Sequence, residues 1–427
     1  MTRVPAAPGP GNAPTLGRPG ADFWKFLLGQ TVSNVGSSFT IFVLPLLVYK
    51  LTGSALNLAL IYAAEYVPYL LFGLVIGAWV DRVDRKRLMI FADITQSFVI
   101  FSVPLLAALG LLSVWWIYAV GFASSTLWIC FNTAEFAAVP SLVNEGDLVT
   151  ANGRLQASYS AATVAGPLLA GLLTAVIPIH AVLLFDALSF LLSALSLTFI
   201  GTGFNADDAG QRRPESLRRD VGEGLRYVLG HPVLRNTCFM MALVNCVGFT
   251  VYAQLVLFAT ERLGASDAQL GLLYAAGGVG MIALALLAGP LRRRFPFNKV
   301  ALGTLMIGGV LIVLLASTQL YWAAVLLWAS IWGLVILFDL NSNSLWQEVV
   351  PNRLLGRVQS TVSVLSWSAI PLGILIGGFV VEQTQNVALV YAAVGILIFL
   401  TAIAFSFTAV GSAERYLPQD KLRRPRG

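Results

Sequence analysis

Twelve times in 427 residues the chain runs for about twenty residues with hardly a charge. A bilayer asks for such runs, because its hydrocarbon core is about 30 Å thick and a helix rises 1.5 Å per residue. Inside hydrocarbon every backbone N–H and C=O needs a partner within the protein, which leaves helices or closed barrels. Runs of this length read as helices. They lie at roughly 22–50, 55–79, 87–110, 114–138, 151–176, 180–201, 233–261, 267–290, 299–317, 321–347, 357–382 and 386–410. The expected fold class is an all-α membrane protein with 12 transmembrane helices. Composition agrees: 11% of residues are charged and 57% apolar, against about 25% charged in a soluble domain.

The net charge of +6 does not point to nucleic acid, because the basic residues fall in short clusters between apolar runs. With the amino terminus inside, connections 80–87, 139–153, 202–232, 290–298 and 348–356 and both tails face the cytoplasm. Of the 27 Lys and Arg, 25 then lie inside or at inner helix ends, leaving Lys50 and Arg262 outside. Lys/Arg bias sets orientation, so both termini are expected in the cytoplasm. Cys130, Cys238 and Cys246 lie in apolar runs without metal-ligand spacing, and the two histidines, His180 and His231, sit at loop edges. No metal, no cofactor and no His-based catalysis are expected. A primary pump would need a GxxxxGK[ST] phosphate loop, which the chain lacks. A membrane-embedded transferase would need an acidic metal-binding run within a span, and none is present. A sensor would need a soluble output domain, and the longest internal loop has about 30 residues.

Residues 1–20 contain nine Pro or Gly and are expected to form a disordered tail without the apolar core of a signal peptide. Two blocks of six spans follow, 21–202 and 233–411, with a linker at 203–232 and a basic tail at 412–427. The linker places Leu217, Val221, Leu225 and Val228 at helical spacing beside Arg218, Arg219 and Arg226. That pattern predicts an amphipathic helix lying on the inner membrane surface. The blocks echo each other: "GRLQAS" opens span five and "GRVQST" span eleven. Pro167 and Pro371 follow them, and "VPSLV" and "VPNRL" precede them. Paired six-span repeats are a transporter plan, with the substrate held between them near the bilayer midplane.

Between spans two and three the chain reads "GAWVDRVDRKRL". With "FWKFLLGQTVSNVG", "LTGSA", "FDALSFLLSA" and "EGLRYVLGHPVLR", this stretch resembles the major facilitator superfamily of secondary transporters. Within it the sequence is similar to the macrolide-efflux and enterobactin-exporter-like branch, where Asp84 replaces a customary Gly. The resemblance implies two six-helix bundles in a bacterial cytoplasmic membrane, a monomer, and spans one, four, seven and ten around the cavity. It also implies a cytoplasmic gate of Gly77, Asp81, Arg82, Arg85 and Glu135. There Asp81 would meet the amino end of span eleven, where free N–H groups and the helix dipole favour an anion, and Arg85 would meet Glu135. Gly166, Pro167 and Gly171 in "AGPLLAG" are similar to a motif of exporters that run against protons. With Gly373 and Gly377 they are expected at bends and at the seams where spans two and eleven, and five and eight, meet. Spans two and eight add Gly73, Gly277, Gly278 and Gly280.

Four acids, Glu65, Asp93, Asp186 and Asp339, lie within spans, with no Lys or Arg at comparable depth. An ionisable residue there costs about 2.5–3.5 kcal/mol on insertion scales, so it faces protein or water. A carboxyl buried without a cation favours its protonated form, the property a proton carrier needs; all four are candidates for proton coupling. Glu65 reads equally as a satisfied structural carboxyl, and Asp93 and Asp186 fit helix-to-helix hydrogen bonding better. Polar and aromatic stripes at helical period give the cavity candidates: Gln30 and Asn34; Trp128 and Asn132; Asn245, Tyr252 and Gln254; Trp332 and Asn343. Together these features predict a secondary exporter moving a bulky organic compound, an antibiotic, siderophore or secondary metabolite, against the proton gradient. Uptake is the alternative.

Overall fold

A computed structural model describes residues 20–80, 82–205 and 217–416. The tail to residue 19, Asp81, linker residues 206–216 and the tail beyond 416 lie outside them. The described chain is helical, without a strand. The first half holds α1 (Ala21–Thr52), α2 (Ala55–Val80), α3 (Arg85–Ala108), α4 (Val114–Leu142), α5 (Leu148–Leu173) and α6 (Ile179–Thr198). The linker forms α7 (Leu217–Gly230). In the second half, span seven is α8 (Pro232–Ala253), the short α9 (Leu255–Leu257) and a π turn at Phe258–Arg262. Spans eight to ten are α10 (Asp267–Arg294), α11 (Phe297–Ser317) and α12 (Tyr321–Val349). Span eleven is α13 (Asn352–Trp367) with α14 (Ala369–Thr384), and span twelve is α15 (Val387–Ser406). Among the described residues, eleven helices are long and apolar enough to cross a membrane. The remaining span, α5, has 26 residues but is diluted by Asn152, Arg154, Gln156 and several hydroxyls. It wedges between α1 and α10, where protein covers part of it.

The repeat is visible in the packing. In the first half α1 packs on α5 and α6, α2 on α4, and α3 on α4 and α6. Adding six spans to each partner gives α8 on α14 and α15, α10 on α12, and α11 on α12 and α15, all of which are formed. The halves meet through α2 with α14 and through α5 with α10, the two seams expected. Small residues set both. At the second seam a Cβ added to Gly171 would lie 2.7 Å from the Asp267 carbonyl oxygen and 3.1 Å from the Gly271 Cα. Gly278 faces Val164 at the same seam.

Several glycines serve other contacts than those expected. Gly373 and Gly377 face Cys246 and Thr250 of α8, within their own half, and it is Gly378 that lies against Ala55 and Ala59 of α2. The helical period puts adjacent glycines on different faces, so one stripe serves two neighbours. Gly166 faces Ser38 of α1, Gly277 faces Trp328, and Gly280 faces Ala329. Gly73 and Gly77 have open space beside them.

Span eleven breaks at Ser368, because Pro371 brings no N–H and its ring crowds the carbonyl four residues earlier. The Asn245 amide donates to the neighbouring Ser366 carbonyl at 3.1 Å. The linker helix is fastened to the second half rather than merely resting on a membrane surface. Glu223 pairs with Arg357, the Tyr227 hydroxyl donates to the Val349 carbonyl at 3.4 Å, and Gly224 abuts the Arg357 carbonyl.

Candidate functional site

We call outer the end of the bundle that carries the 50–55, 262–267 and 382–386 connections, which the charge pattern expects outside. The two halves close on each other there. Lys50 pairs with Asp267, and the Tyr49 hydroxyl donates to Glu261 at 3.0 Å. Ser54 donates its hydroxyl to Glu382 at 3.0 Å, and the Gln254 amide donates to the Ala55 carbonyl at 2.9 Å. At the other end the seam parts. α14, the outer piece of span eleven, packs on α2, whereas α13, the inner piece, packs on α7, α8, α12 and α14.

Beneath the outer seal lies an aromatic layer shared by both halves. Tyr62 meets Tyr252 with ring centroids 5.5 Å apart, Tyr66 meets Phe249 at 5.8 Å, and Phe42 meets Tyr274 at 5.7 Å. Tyr252 packs in turn on Tyr274, Trp328 and Trp332, at 5.7, 6.4 and 5.2 Å. The hydroxyls of Tyr62 and Tyr274 share a hydrogen bond of 3.2 Å. Further in, Tyr69 contacts Trp128 in its own half at 5.8 Å and Trp367 across the cleft at 6.4 Å. Offset and edge-on rings of this kind add about 0.5–1.5 kcal/mol per pair beyond burial. They also present apolar faces to anything lodged below.

Glu65 belongs to this layer. Its side chain is half-buried beside Gly121 of α4, whose missing Cβ leaves room for the neighbouring Ile61. The carboxyl lies within electrostatic reach of Tyr62, Tyr66, Tyr252 and Tyr274, and no Lys or Arg of the described residues pairs with it at 4.0 Å. Asp339, on α12, is also half-buried and without such a cation. Asp186 and Asp93 sit elsewhere, 1% and 2% exposed inside the first half. Thr40 and Ser189 donate to Asp186, with Ser37 nearby, and Ser193 accepts from Gln30 at 3.2 Å close to Asp93. These two acids stitch α1, α3 and α6 together away from the cleft.

The expected cavity residues divide in the same way. Trp128, Tyr252 and Trp332 join the aromatic contacts described above, Asn132 is exposed on α4, and Asn34 is half-buried on α1. Gln30 is turned into the first half, and Gln254 is part of the outer seal. Asn245 supports the break in span eleven, and Asn343 accepts from Gln359 at 3.3 Å within the second half. Missing from the expectation are Tyr62, Tyr66, Tyr69, Tyr274, Phe249 and Trp367, and the sealing acids Glu261, Asp267 and Glu382. The tyrosines recur at 62, 66 and 69, a helical stripe in plain view. Of the acids, Asp267 could have been found as the counterpart of Lys50.

At the inner end, the charged loop is anchored within the first half. Arg85 donates through Nη1 to the carbonyls of Ala137 and Phe204, at 3.3 and 3.2 Å. Among the described residues no ion pair joins Arg85 to Glu135; Arg85 reaches that end of α4 at the Ala137 carbonyl, two residues further on. Lys86 donates to the Ile200 carbonyl at 2.6 Å, two residues past the carboxyl end of α6, where free carbonyls favour positive charge. Asp84 accepts from the Arg87 N–H at 3.0 Å, capping α3, which gives the unusual residue in the motif a structural role. Arg82 is exposed. The Asp81 contact with span eleven lies outside the described residues. Among the described residues, no group of three or more His, Cys, Asp or Glu could hold a metal ion.

Comparison with known proteins agrees with this arrangement. The chain is 25% identical to macrolide efflux protein A of Streptococcus pyogenes over 84% of its length and 89% of that protein. It is 26% identical to the multidrug efflux pump Tap of Mycolicibacterium fortuitum over 82% of this chain and 87% of the other. The fold superposes on the nucleoside transporter NupG with a TM-score of 0.76 and 12% identity, covering 90% of this chain and 98% of that one. Residues 26–374 match the profile of the Major Facilitator Superfamily. Two repeated bundles, two glycine-lined seams and a shared central cleft accompany that match, and the chain belongs to this superfamily of membrane transporters.

Proposed function

We propose that the protein is a secondary exporter that moves a bulky, largely apolar organic compound outward in exchange for protons. The observation that carries this reading is the cleft: an aromatic layer built by both halves, holding the Glu65 carboxyl without a cation partner. A site shared by two bundles changes shape when they tilt, which is what alternating access requires. Rings on all sides suit a large substrate bound by area rather than by a fixed set of hydrogen bonds. The efflux proteins among its relatives favour export over uptake. Glu65, with Asp339 at the second half's wall, would take the proton from outside and release it inside. Asp93 and Asp186 are bound into the first half and serve that fold.

The test is transport in vesicles with an imposed proton gradient. Lipophilic antibiotics serve as probes, and right-side-out and inverted vesicles are compared to fix direction. Glu65→Gln and Asp339→Asn should each lower gradient-driven transport at least about tenfold while leaving gradient-free probe exchange measurable, because the cleft survives. If both neutral variants keep full coupled transport, the carboxyls do not carry the proton.

A further inference from the structure

We infer that Glu382 is the outer latch of the transporter: it completes the amino-terminal cap of α2, a helix in the other half, and does so only when the outer end is closed. The inference rests on the alternating-access reading above. α1 ends at Gly53, whose left-handed φ of 60° reverses the chain and sets Ser54 ahead of α2. Ser54 Oγ accepts from the Asn57 N–H at 3.2 Å, the ordinary first half of a capping box. In that box the residue at Asn57 would be a Glu or Gln reaching back. Here the Asn57 side chain is turned away and accepts from the Tyr118 hydroxyl at 2.7 Å.

The carboxylate comes from 328 residues later. Glu382 Oε2 accepts from the Ser54 hydroxyl at 3.0 Å and from the Leu56 N–H at 3.2 Å. One oxygen therefore serves a free N–H of the first turn, the positive end of the helix dipole, and the serine that caps the next N–H. Beside it, Gln254 donates to the Ala55 carbonyl, and Gly378 lets α14 approach Ala55 and Ala59. The start of α2 is thus gripped by three residues of the opposite half. Parting the outer end removes all three contacts and leaves α2 without its anion.

Ion pairs such as Lys50 with Asp267 also cross this end, but their side chains are 43% and 27% exposed, where solvent weakens them. The Glu382 contact includes a backbone N–H that no rotamer change can re-pair, so its loss is felt whenever the outer end opens.

Distances between spin labels on purified protein in nanodiscs test this without any substrate. Labels at Leu111→Cys and Leu320→Cys, exposed in outer connections of the first and second half, are placed in a background lacking Cys130, Cys238 and Cys246. Glu382→Gln should raise the ratio of long to short outer distances about five- to tenfold, the scale of a lost charged cap. Glu382→Asp should give a smaller rise, and Gln254→Met a rise in the same direction. Unchanged distances in Glu382→Gln, or a larger rise in Glu382→Asp than in Glu382→Gln, would overturn the latch. A variant that no longer runs as a monodisperse peak is replaced by Ser54→Ala, which removes the relay from the other side and must also raise the ratio. Loss of proton coupling in the vesicle assay would refute the exporter reading and leave this result standing.

Discussion

Neutralising Asp186 should unsettle the first half, whereas neutralising Glu65 should leave it intact. Thr40 donates to the Asp186 carboxyl, and Asp186→Leu would leave that buried hydroxyl without this acceptor, whereas Ser189 keeps the Asp186 backbone carbonyl at 2.8 Å. At about 1–3 kcal/mol for an unsatisfied buried group, the expected loss is about 1–3 kcal/mol. Asp186→Asn keeps one acceptor oxygen and should lose less. Glu65→Gln breaks no bond recorded for that carboxyl and should leave the unfolding midpoint in detergent nearly unchanged. Midpoints compared with transport per folded molecule separate the two roles: an Asp186→Leu protein as stable as wild type would refute the structural assignment. The helical stripes of the sequence were sound as faces, yet a stripe does not say which neighbour it meets. Gln30 and Asn34 are four residues apart on α1, and only Gln30 is spent on Ser193 inside the first half.

At the scale of elements, the docking of the carboxyl-terminal turn on the linker depends on a histidine. His231 precedes α8, stacks on Tyr227 with centroids 6.4 Å apart, and meets the Tyr416 ring at 5.9 Å. Burial holds its pKa below the ordinary 6.5, and the start of α8 further disfavours a positive charge. A base with a depressed pKa binds fewer protons when docked than when released. Docking is therefore strongest above about pH 6.5 and weakens as pH falls below it. Amide exchange of residues 413–416 should quicken from pH 7.5 to 5.5 beyond the intrinsic rate, and His231→Gln should abolish that excess. The lengths of the twelve spans and their pairing into two blocks were legible because hydrocarbon thickness and repetition leave local marks. The π turn, the break at Ser368 and the partner of α7 were not, since each answers to a side chain or backbone of another helix. Pro371 stood out as the echo of Pro167, which did not show that Asn245 would cover a neighbouring carbonyl.

For the whole molecule, the two ends of α2 pose the same question with opposite sign. Glu382, at the end of span eleven, sits on the start of α2. The expected contact of Asp81 would place an anion from the end of span two on the start of span eleven. The two arrangements are related by interchanging span two and span eleven, the pair that forms this seam, and not by the six-span repeat. If both act as latches, the outer one favours the inward-open state and the inner one the outward-open state. Asp81→Asn alone should then deplete outward-open protein, insert normally and transport poorly, while Glu382→Gln should deplete inward-open protein. The latches stand at opposite ends of a 26-residue helix, about 39 Å apart at 1.5 Å per residue. Effects at such separation add to within about 0.5 kcal/mol. The double variant should thus return the outer-label distance ratio toward the wild-type value even though each single change displaces it. A double variant as displaced as Glu382→Gln alone would show that Asp81 holds nothing closed.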